Sequence, residues 1–480
     1  MISRKLTHKD ILSTKTTRRD SYPCLMLMNK NDITEQAHRV YPDLTLNILT
    51  RQEHKISRKQ ISESALKVLY RLQSSGYDAY LVGGGVRDLL LGESPKDFDI
   101  TTNATPEQVR KLFRNCRLIG RRFRLAHVMF GREIVEVATF RGHHQENDHQ
   151  KSSQSEAGML LRDNVYGTID EDAERRDFTV NAMYYNIADY TIHDYAGGIE
   201  DIEDRLIRLI GDPQTRYRED PVRMLRAVRF AVKLDFDIEE ETAAPIEELA
   251  PLLQDIPSAR LYEESLKMLQ TGYGLETYHQ MRQYNLFQQL FPMISAYFTE
   301  DHSSPTEKML DLALDSTDQR IEEGKRINPA FMFAAILWYP MIHLAETFME
   351  SKNLCYYDAV MEAGNKILDQ LVKTVAIPRR HTATIRDIWQ LQLRFSRRHG
   401  KRAFRLLDIN KFRAGFDFLA MRGIVEEGET RELALWWETF QNAGKNMRQA
   451  MVNDIGRVNS KKAKARQRQT GQKKNKQDVS

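Results

Sequence analysis

The hydrophobic pattern of the chain becomes regular near residue 62, where it predicts a helix. Apolar residues recur at helical spacing on one face, namely Ala65, Leu66, Leu69 and Leu72. Gly76 is well placed to end this helix, because glycine readily adopts the backbone conformation that follows a helix. A short apolar strand, Ala79–Val82, comes next and leads directly into three consecutive glycines. The pattern therefore predicts a helix, a strand and a glycine loop in that order.

The next segments continue an α/β pattern. Val86–Leu91 is predicted to be a helix, and Lys96–Ile100 alternates polar and apolar residues as a half-buried strand does. Glu133–Thr139 alternates in the same way. Residues 142–158 are polar and low in complexity, which predicts a mobile loop.

Helical spacing dominates the rest of the chain. Beyond Gly198 the strand signals mostly stop, and no fixed repeat period appears between residues 199 and 441. We therefore expect an α/β head with a mixed sheet, followed by an all-helical neck and body. The predicted boundaries are 1–55 for a polar N-terminal extension, 56–205 for the head, 206–275 for the neck, 276–445 for the body and 446–480 for a disordered basic tail.

The tail differs in charge from the rest of the chain. The formal net charge is +4 over 480 residues. From Lys461 to Ser480, however, there are eight Lys or Arg residues and a single acid, Asp478. Such a run repels itself and buries no apolar surface, which is typical of an arm that binds a polyanion.

The cysteine count and the apolar runs indicate a cytoplasmic protein. Three scattered cysteines are too few for a disulfide framework or a zinc cluster. Near the N-terminus the apolar run Cys24–Met28 is shorter than a secretory signal requires. The stretch Ala330–Ala345, interrupted by Pro340 and His343, falls short of the roughly 20 residues that span a bilayer. It predicts a buried core helix, so we expect no membrane span.

Two carboxylates separated by one residue form the first candidate site. On a strand, residues i and i+2 point to the same face, so Asp97 and Asp99 would project together while Phe98 and Ile100 point into a core. Adjacent carboxylates repel unless a cation lies between them, and oxygen ligands suit Mg²⁺ or Mn²⁺. An Asp-x-Asp pair is common, and a solvated strand end is the simpler interpretation when it stands alone.

The neighbouring segments favour the metal interpretation. Gly83 and Gly84 connect a strand to a helix, which leaves backbone N–H groups free to approach phosphate oxygens. Arg87 in the first turn of that helix would add a cationic fork for the same anion. Glu136 is the single charged residue of Ile134–Ala138, and a buried carboxylate needs a metal or cationic partner. A surface position on an edge strand is the alternative for Glu136. Three carboxylates and a phosphate loop together describe a two-metal phosphoryl-transfer site.

Three longer segments resemble motifs of one known family. LVGGGVRDLLLGESPKDFDITT (81–102) is similar to the head motif of the class II nucleotidyltransferases of the polymerase-β superfamily. RRDFTVNAM (175–183) resembles their second motif, and REDPVRMLRAVRF (218–230) resembles their nucleotide-reading motif. The resemblance extends from about residue 60 to 445 and implies a polymerase-β-like nucleotidyltransferase head.

The resemblance also implies roles for individual residues. It assigns the metal ions to Asp97, Asp99 and Glu136, and it places Asp177 at the active site as a catalytic residue. It also places three residues near the triphosphate and the sugar, namely Arg175, Arg176 and Asn181. A charged helix start, with Asp177 paired to a neighbouring arginine, is the alternative. His127 is better explained as a hydrogen-bonded core histidine than as a catalytic base.

Two branches of the family must be separated, the enzymes that complete tRNA ends with CCA and the bacterial poly(A) polymerases. The segment LIGRRFRLAHV (118–128) resembles the poly(A) polymerases, as do residues 386–404, residues 411–422 and the basic tail. This resemblance implies transfer of AMP from ATP to RNA 3′ ends with release of pyrophosphate, promoting RNA decay together with decay proteins. A CCA-adding tRNA nucleotidyltransferase is the alternative.

Base selection is predicted to rest on Asp220 and Arg223, whose i, i+3 spacing would place them on one helical face. Asp offers only acceptors and Arg only donors. Adenine and cytosine both present a donor beside an acceptor in matching order, whereas uracil and guanine would leave buried groups unpaired at ~1–3 kcal/mol per group. The pair therefore admits A or C and does not separate the two branches. Arg226 and Arg229 continue the stripe and are expected to meet phosphate or acids of the head, with Arg226 among the nucleotide-binding residues. A salt-bridged helix is the alternative for all four.

Arginines interleaved with aromatic residues in the C-terminal body suit single-stranded RNA. The expected RNA contacts in the body and the tail are Arg394, Arg397, Arg398, Lys461, Lys462, Lys464, Arg466 and Arg468. The aromatic residues are better explained as core. DNA is not expected as a partner. A catalytically inactive RNA-binding scaffold is an alternative of a different class, and the intact set of three acids argues against it.

Overall fold

The computed structural model describes residues 46–120, 124–142, 152–154, 160–163 and 165–455. The five basic residues predicted in the tail for RNA binding therefore lie outside the described residues. Most of the N-terminal extension and most of the predicted loop at 142–158 also lie outside them.

The head is built on a mixed sheet. Its strands and a separate hairpin are β1 (Asn47–Leu49), β2 (Ala79–Val82), β3 (Asp99–Thr102), β4 (Cys116–Ile119), β5 (Leu125–Phe130), β6 (Glu133–Thr139), β7 (Ser152–Gln154), β8 (Leu160–Asp163), β9 (Met183–Asn186) and β10 (Ile192–Asp194). The eight-stranded sheet has the order β1-β10-β9-β2-β3-β6-β5-β4, and β7 pairs with β8. Within this sheet β3 and β6 pair in parallel, and all other neighbouring strands pair antiparallel. The predicted mixed sheet is confirmed, although β7 lies in the segment predicted to be a loop.

Short helices cover the sheet of the head. They are α1 (Glu63–Ser74), α2 (Gly84–Leu90), α3 (Pro106–Leu112), α4 (Ile169–Glu174) and α5 (Gly198–Glu203). α1 begins where the Ser62 side chain accepts a hydrogen bond from the Ala65 amide, and its apolar face is buried in the same core as β2 and β3. Gly76 follows the end of α1 with a φ of +83°, the left-handed conformation expected of a glycine that ends a helix.

The head begins earlier than we predicted. β1 pairs with β10 at the edge of the sheet, within the segment expected to have little structure of its own. His54 is buried, and its Nε2 lies 2.7 Å from the carbonyl oxygen of Tyr190. The sequence did not reveal this because three strand residues are too few to establish an alternating pattern.

The neck and body are helical apart from one two-stranded pair, β11 (Leu206–Ile207) with β12 (Asp237–Ile238). The helices are α6 (Pro213–Glu219), α7 (Val222–Leu234), α8 (Glu240–Ala243), α9 (Ile246–Leu249), α10 (Ser258–Leu269), α11 (Gly274–Gln283), α12 (Leu286–Leu290), α13 (Pro292–Ser295), α14 (Pro305–Glu322), α15 (Pro329–Ile336), α16 (Trp338–Lys352), α17 (Tyr356–Thr374), α18 (Arg379–Phe395), α19 (Lys401–Leu407), α20 (Phe412–Glu426) and α21 (Gly428–Asn442). α7 buries Met224, Leu225 and Val228 in a core that continues through the body. The remainder is thus largely helical, as predicted, while the exact domain boundaries stay predictions.

The body continues past the predicted start of the tail at residue 446. Residues 445–455 are helical, and Val452 is buried in the same core as Trp437 and Phe440. Arg448 donates hydrogen bonds to the carbonyl oxygens of Phe440 and Gln441 at 2.8 and 2.7 Å. The high charge of the last residues hid this helix, because its single buried valine gives little apolar periodicity.

The apolar stretch at 330–345 lies in the body core. Within the described residues no single helix is long and apolar enough to cross a membrane. α15 and α16 reach that length only together, and they bend by 48° between them. Phe333 and Trp338 are buried in the body core. The stretch is therefore buried as predicted, but it forms two helices.

Candidate active site

The glycine loop brings three predicted site residues together. β2 ends at Val82, and Gly83 takes a φ of +73°, which residues with a side chain rarely adopt. A Cβ atom on Gly83 would lie 3.9 Å from Nη1 of Arg176 and 3.9 Å from Oδ2 of Asp99. The open backbone of Gly83 is thus flanked by a guanidinium on one side and a carboxylate on the other.

The register of the sheet places the predicted carboxylates at one edge. Asp99, the first residue of β3, pairs with Val82 on one side and with Glu136 of β6 on the other. Asp97 lies just before the strand and is exposed, while Phe98 is buried. The alternation is therefore as predicted, although Asp97 is not itself on the strand. The arrangement of parallel β3 and β6 is what brings Glu136 beside Asp99.

The electrostatics of Asp99 fit a cation-binding group. Although Asp99 is exposed, its pKa is raised to about 6, mainly because the surrounding protein partly desolvates the carboxylate. Glu136 and Asp97 contribute to this rise, while Arg176 opposes it. Asp99 therefore carries a charge that its surroundings disfavour, which a divalent cation would offset. As the side chains are placed, no three of the described His, Cys, Asp or Glu residues are arranged to hold a metal ion.

His127 faces the same side of the sheet as Glu136. The two residues are paired across β5 and β6, and His127 Nε2 lies 3.0 Å from Oε1 of Glu136. Ala126 and Val128 on either side point into the core. The alternation of β5 turns the His127 side chain, which is 18% exposed, towards Glu136, and its interpretation as a hydrogen-bonded rather than a catalytic histidine stays a prediction.

Arg176 is held by two buried groups that the sequence analysis did not single out. Its Nε donates to Oη of Tyr184 at 2.8 Å and to Oδ2 of Asp172 at 3.2 Å, and its Nη2 donates to the same Oδ2 at 2.9 Å. Burial opposes the charged guanidinium, but Tyr184 and Asp172 outweigh it and raise the pKa of Arg176. Asp172 lies four residues before Arg176, a local spacing that could have indicated this ion pair, whereas Tyr184 comes from β9 and is brought in by the sheet.

Arg87 occupies a different place from the one predicted. Its side chain is 2% exposed and donates to Oδ1 of Asp88 at 2.9 and 2.6 Å and to Oδ1 of Asn181 at 2.6 Å. A Cβ on Gly84 would lie 3.2 Å from its Nη2. The guanidinium therefore packs behind the glycine loop and holds α2 in place. In this conformation three of its five N–H groups donate to Asp88 and Asn181, and the expected direct contact with phosphate stays a prediction.

Asp177 and Asn181 link the head to the neck. Oδ2 of Asp177 accepts from Nε of Arg226 at 2.6 Å, and Oδ1 accepts from the Phe178 amide at 2.9 Å and from Asn181 at 3.3 Å. Burial would raise the pKa of Asp177, but Arg226 and these hydrogen bonds lower it to about 2. In the structure Asp177 is an ion-pair partner of Arg226, and its expected role as a catalytic residue stays a prediction. Asn181 bridges it to Arg87.

The predicted base-reading pair does not share a helical face. Asp220 lies between α6 and α7 and accepts two hydrogen bonds from Arg260 of α10, at 2.9 and 2.8 Å. Arg223 donates from Nη1 to Glu219 at 2.8 Å and to the carbonyl oxygen of Arg216 at 2.7 Å. The helical spacing failed because Pro221 interrupts the helix, so both residues are instead presented at a bend.

Arg216 is a further residue that the sequence analysis passed over. It donates to the carbonyl oxygens of Arg175 and Arg176 at 2.9 and 2.6 Å and to Glu219 at 2.7 Å. Arg175 itself donates to the carbonyl oxygen of Gly142. The segment that carries Arg176 is therefore tied to α6 through its backbone.

The predicted RNA-binding arginines of the body lie near the end of α18. Arg394 and Arg397 are exposed, whereas Arg398 is half-buried with its guanidinium 5.5 Å from the centre of the Trp436 ring. Trp389 and Phe395 are buried, in agreement with their interpretation as core residues. Of the three arginines, Arg394 and Arg397 are the more accessible to RNA.

Comparison with known proteins identifies the family. The chain is 57% identical to Poly(A) polymerase I of Salmonella typhimurium over 435 residues, which cover 90% of this chain and 93% of that protein. The chain belongs to the poly(A) polymerase I family. Residues 79–208 match the family described as Poly A polymerase head domain, 235–298 match Probable RNA and SrmB- binding site of polymerase A, and 352–474 match Polymerase A arginine-rich C-terminus.

The CCA-adding enzymes are more distant relatives of this poly(A) polymerase family. The CCA-adding enzyme of Lactobacillus helveticus is 40% identical over 204 residues, which cover 42% of this chain and 49% of that protein. A solved structure described as tRNA-processing enzyme (apo form I) shares the fold with a TM-score of 0.55 at 24% identity, covering 83% of this chain and 97% of the other. The nucleotidyltransferase fold expected from the sequence is thereby confirmed.

Proposed function

We propose that the site around Gly83, Asp99 and Arg176 is where this chain, a template-independent adenylyltransferase of the poly(A) polymerase I family, transfers AMP from ATP to RNA 3′ ends. The observation that supports this site is the placement of Asp99. It lies in register with Glu136, beside an open glycine backbone and a guanidinium. Carboxylates for cations and donors for phosphate therefore meet at one point, as phosphoryl transfer requires.

The chain's own groups have separate tasks in this reaction. The 3′ hydroxyl oxygen of the RNA attacks the α-phosphorus of ATP, and the bond to pyrophosphate breaks. Backbone amides at Gly83 and Gly84 and the Nη1 of Arg176 face the polyphosphate and neutralise its charge. Asp97, Asp99 and Glu136 would hold Mg²⁺ or Mn²⁺, which when bound supplies Lewis-acid stabilisation and a lower pKa for the attacking hydroxyl.

Asp220 and Arg223 are proposed to read the base from the bend between α6 and α7. Asp220 accepts from Arg260 through both oxygens and from the Val222 amide through Oδ1. In the proposed complex a carboxylate oxygen of Asp220 accepts the adenine N6 amine, beside or in place of one of these contacts. Both hydrogen bonds given above for Arg223 use Nη1, which leaves Nε and Nη2 to donate to adenine N1.

The path of the RNA is proposed to run along the neck and the body. The match of 235–298 to a family described by RNA binding supports contact with the neck. Arg394 and Arg397 are exposed on the body, and the basic residues from Lys461 onwards are proposed to bind RNA phosphates on the ground of their charge. Partners in RNA decay and a cytoplasmic location complete the proposal.

Incubation of the purified protein with an unstructured RNA oligonucleotide, Mg²⁺ and one nucleoside triphosphate at a time tests this function. We expect a ladder of long products with ATP and little extension with CTP, GTP or UTP. A parallel incubation supplies a tRNA that lacks its terminal CCA together with CTP and ATP, and extension by two C residues and one A, with termination there, would instead identify a CCA-adding enzyme. No extension with any nucleotide would identify an RNA-binding scaffold. The matched control is Asp189→Ala, which changes an exposed aspartate in a turn and should leave extension normal, whereas Asp97→Ala should abolish it.

A further inference from the structure

Arg176 presents two different edges of its guanidinium. Nε and Nη2 are bound to Asp172 and Tyr184, whereas Nη1 points to the space beside Gly83 and Asp99. The hydroxyl of Tyr184 in turn donates to Oδ2 of Asp172 at 2.8 Å. The three side chains therefore form a closed hydrogen-bonded triangle, and one edge of the arginine faces outwards from it.

We propose that Asp172 and Tyr184 are positioning residues that fix Arg176 so that Nη1 meets the polyphosphate of the incoming nucleotide. This inference rests on the proposed function, because it takes the space beside Gly83 as the place of that polyphosphate. Neither Asp172 nor Tyr184 touches the substrate. They act through the arginine that they hold.

The burial of the triangle shows why it can position the arginine. Tyr184 is fully buried and Asp172 is 4% exposed, while the side chain of Arg176 retains 22% exposure. A free arginine side chain loses rotamer entropy when it is immobilised. Because Asp172 and Tyr184 already immobilise Arg176, ATP binding does not bear this cost again.

The triangle is also connected to the elements that carry the rest of the site. Tyr184 pairs across the sheet with Val82, the residue before Gly83. The other oxygen of Asp172, Oδ1, accepts a hydrogen bond from the Arg141 amide at 3.1 Å, just beyond the strand that carries Glu136. The position of Arg176 is therefore set relative to both the glycine loop and the carboxylates.

Tyr184→Phe tests the inference, since it removes one hydroxyl and keeps the ring. The matched control is Tyr185→Phe on the same strand, because Tyr185 is also fully buried but its hydroxyl has no hydrogen-bond partner among the described residues. Hydrogen bonds to charged groups are strong enough that we expect about a tenfold increase in KM for ATP with Tyr184→Phe. The inhibition constant of inorganic tripolyphosphate should rise by a similar factor, while kcat changes little. Tyr185→Phe should behave like the parent in both measurements.

A second variant covers the case in which Tyr184→Phe does not fold. Asp172→Asn keeps the shape of the side chain but removes its charge, so it should raise the same two constants by more than tenfold. Unchanged tripolyphosphate inhibition in either folded variant would overturn the inference. Equal effects of Tyr184→Phe and Tyr185→Phe would also overturn it, because they would indicate a general packing effect. Failure of the parent protein to extend RNA would instead count against the proposed function itself.

Discussion

Asp177 belongs to a sequence motif expected at the active site, but in the structure it forms an ion pair with Arg226. Variants of the two residues can test whether Asp177 joins the head to α7 or takes part in catalysis. If Asp177 serves mainly to join the head to α7, then Asp177→Asn and Arg226→Met should damage the same property. If Asp177 is catalytic, Asp177→Asn should abolish nucleotide addition while Arg226→Met has a smaller effect. The structure supports the first role, since both oxygens of Asp177 are bound within the protein.

The size of the effect on stability follows from the pKa. Its fall from 3.8 to about 2 corresponds to about 2 kcal/mol of stabilisation of the folded state. The side chains of Asp177 and Arg226 are 15% and 31% exposed, so solvent screening of the pair is limited. Removing one partner of a fully buried pair costs about 3–5 kcal/mol, and this partly exposed pair should cost less, about 2–3 kcal/mol.

A double-mutant cycle in urea unfolding measures the pair directly. We expect each single variant to lose about 2–3 kcal/mol and the coupling energy to be about 2 kcal/mol. Since the folded pKa is lowered, the advantage of the parent over Asp177→Asn is fully present above about pH 4 and is lost as the pH falls towards 2. The exposed pair of Arg205 and Asp235 is the matched control, and Asp235→Asn should change stability little. A coupling energy near zero, or activity lost with Asp177→Asn but kept with Arg226→Met, would refute the joining role.

Three further predictions concern catalysis, base selection and RNA binding. Asp99→Ala should reduce nucleotide addition by at least a thousandfold, because metal stabilisation of the transition state contributes several kcal/mol. Single-turnover extension measures this loss, and filter binding should show unchanged RNA affinity. Near-normal extension would contradict the assignment of the carboxylates. Arg223→Ala should lower the preference for ATP over UTP and GTP about tenfold or more, measured as ratios of kcat/KM, and an unchanged ratio would place base reading elsewhere. Truncation after Asn459 should weaken RNA binding and flatten its salt dependence by ~0.7 per lost phosphate contact, with the rate at saturating RNA preserved; an unchanged slope would show that the tail does not contact RNA.

The sequence predicted those parts of the fold whose patterns are local and repeated. The strand Ala79–Val82 has the predicted bounds because it is an apolar run that ends at three glycines, and the strand Glu133–Thr139 has them because its alternation is long enough to identify. β1 and the helix at 445–455 were missed, since one is three residues long and the other has few apolar positions. The bend at Pro221 shows a further limit: residue spacing implies a shared face only when the helix is continuous.

The candidate site could be predicted in its residue types but only partly in its contacts. Asp99 and Glu136 are 37 positions apart in the sequence, and only the parallel pairing of their strands makes them neighbours. Arg87 was expected to face phosphate because it follows the glycine loop, yet its direction is set by Asn181, which lies far along the chain. Long-range hydrogen bonds of this kind leave no periodic signal in the sequence, so roles inferred from a motif have to be checked against them.

The contacts between the head and the neck indicate how the enzyme can select one nucleotide without a template. Arg216 binds the backbone carbonyl of Arg176, and through Glu219 it is linked to Arg223. The arginine proposed to face phosphate and the arginine proposed to read the base therefore belong to one hydrogen-bonded chain. Asp177 and Arg226 add a second connection between the same two segments. Because the covalent structure of a nucleotide limits the distance from its polyphosphate to its base, a site that holds both ends at a fixed separation can compare bases by hydrogen-bonding pattern. A purine whose edge presents the reverse pattern would be unable to make the hydrogen bonds proposed for Asp220 and Arg223, and the rigid connection would prevent the site from shifting to accommodate it.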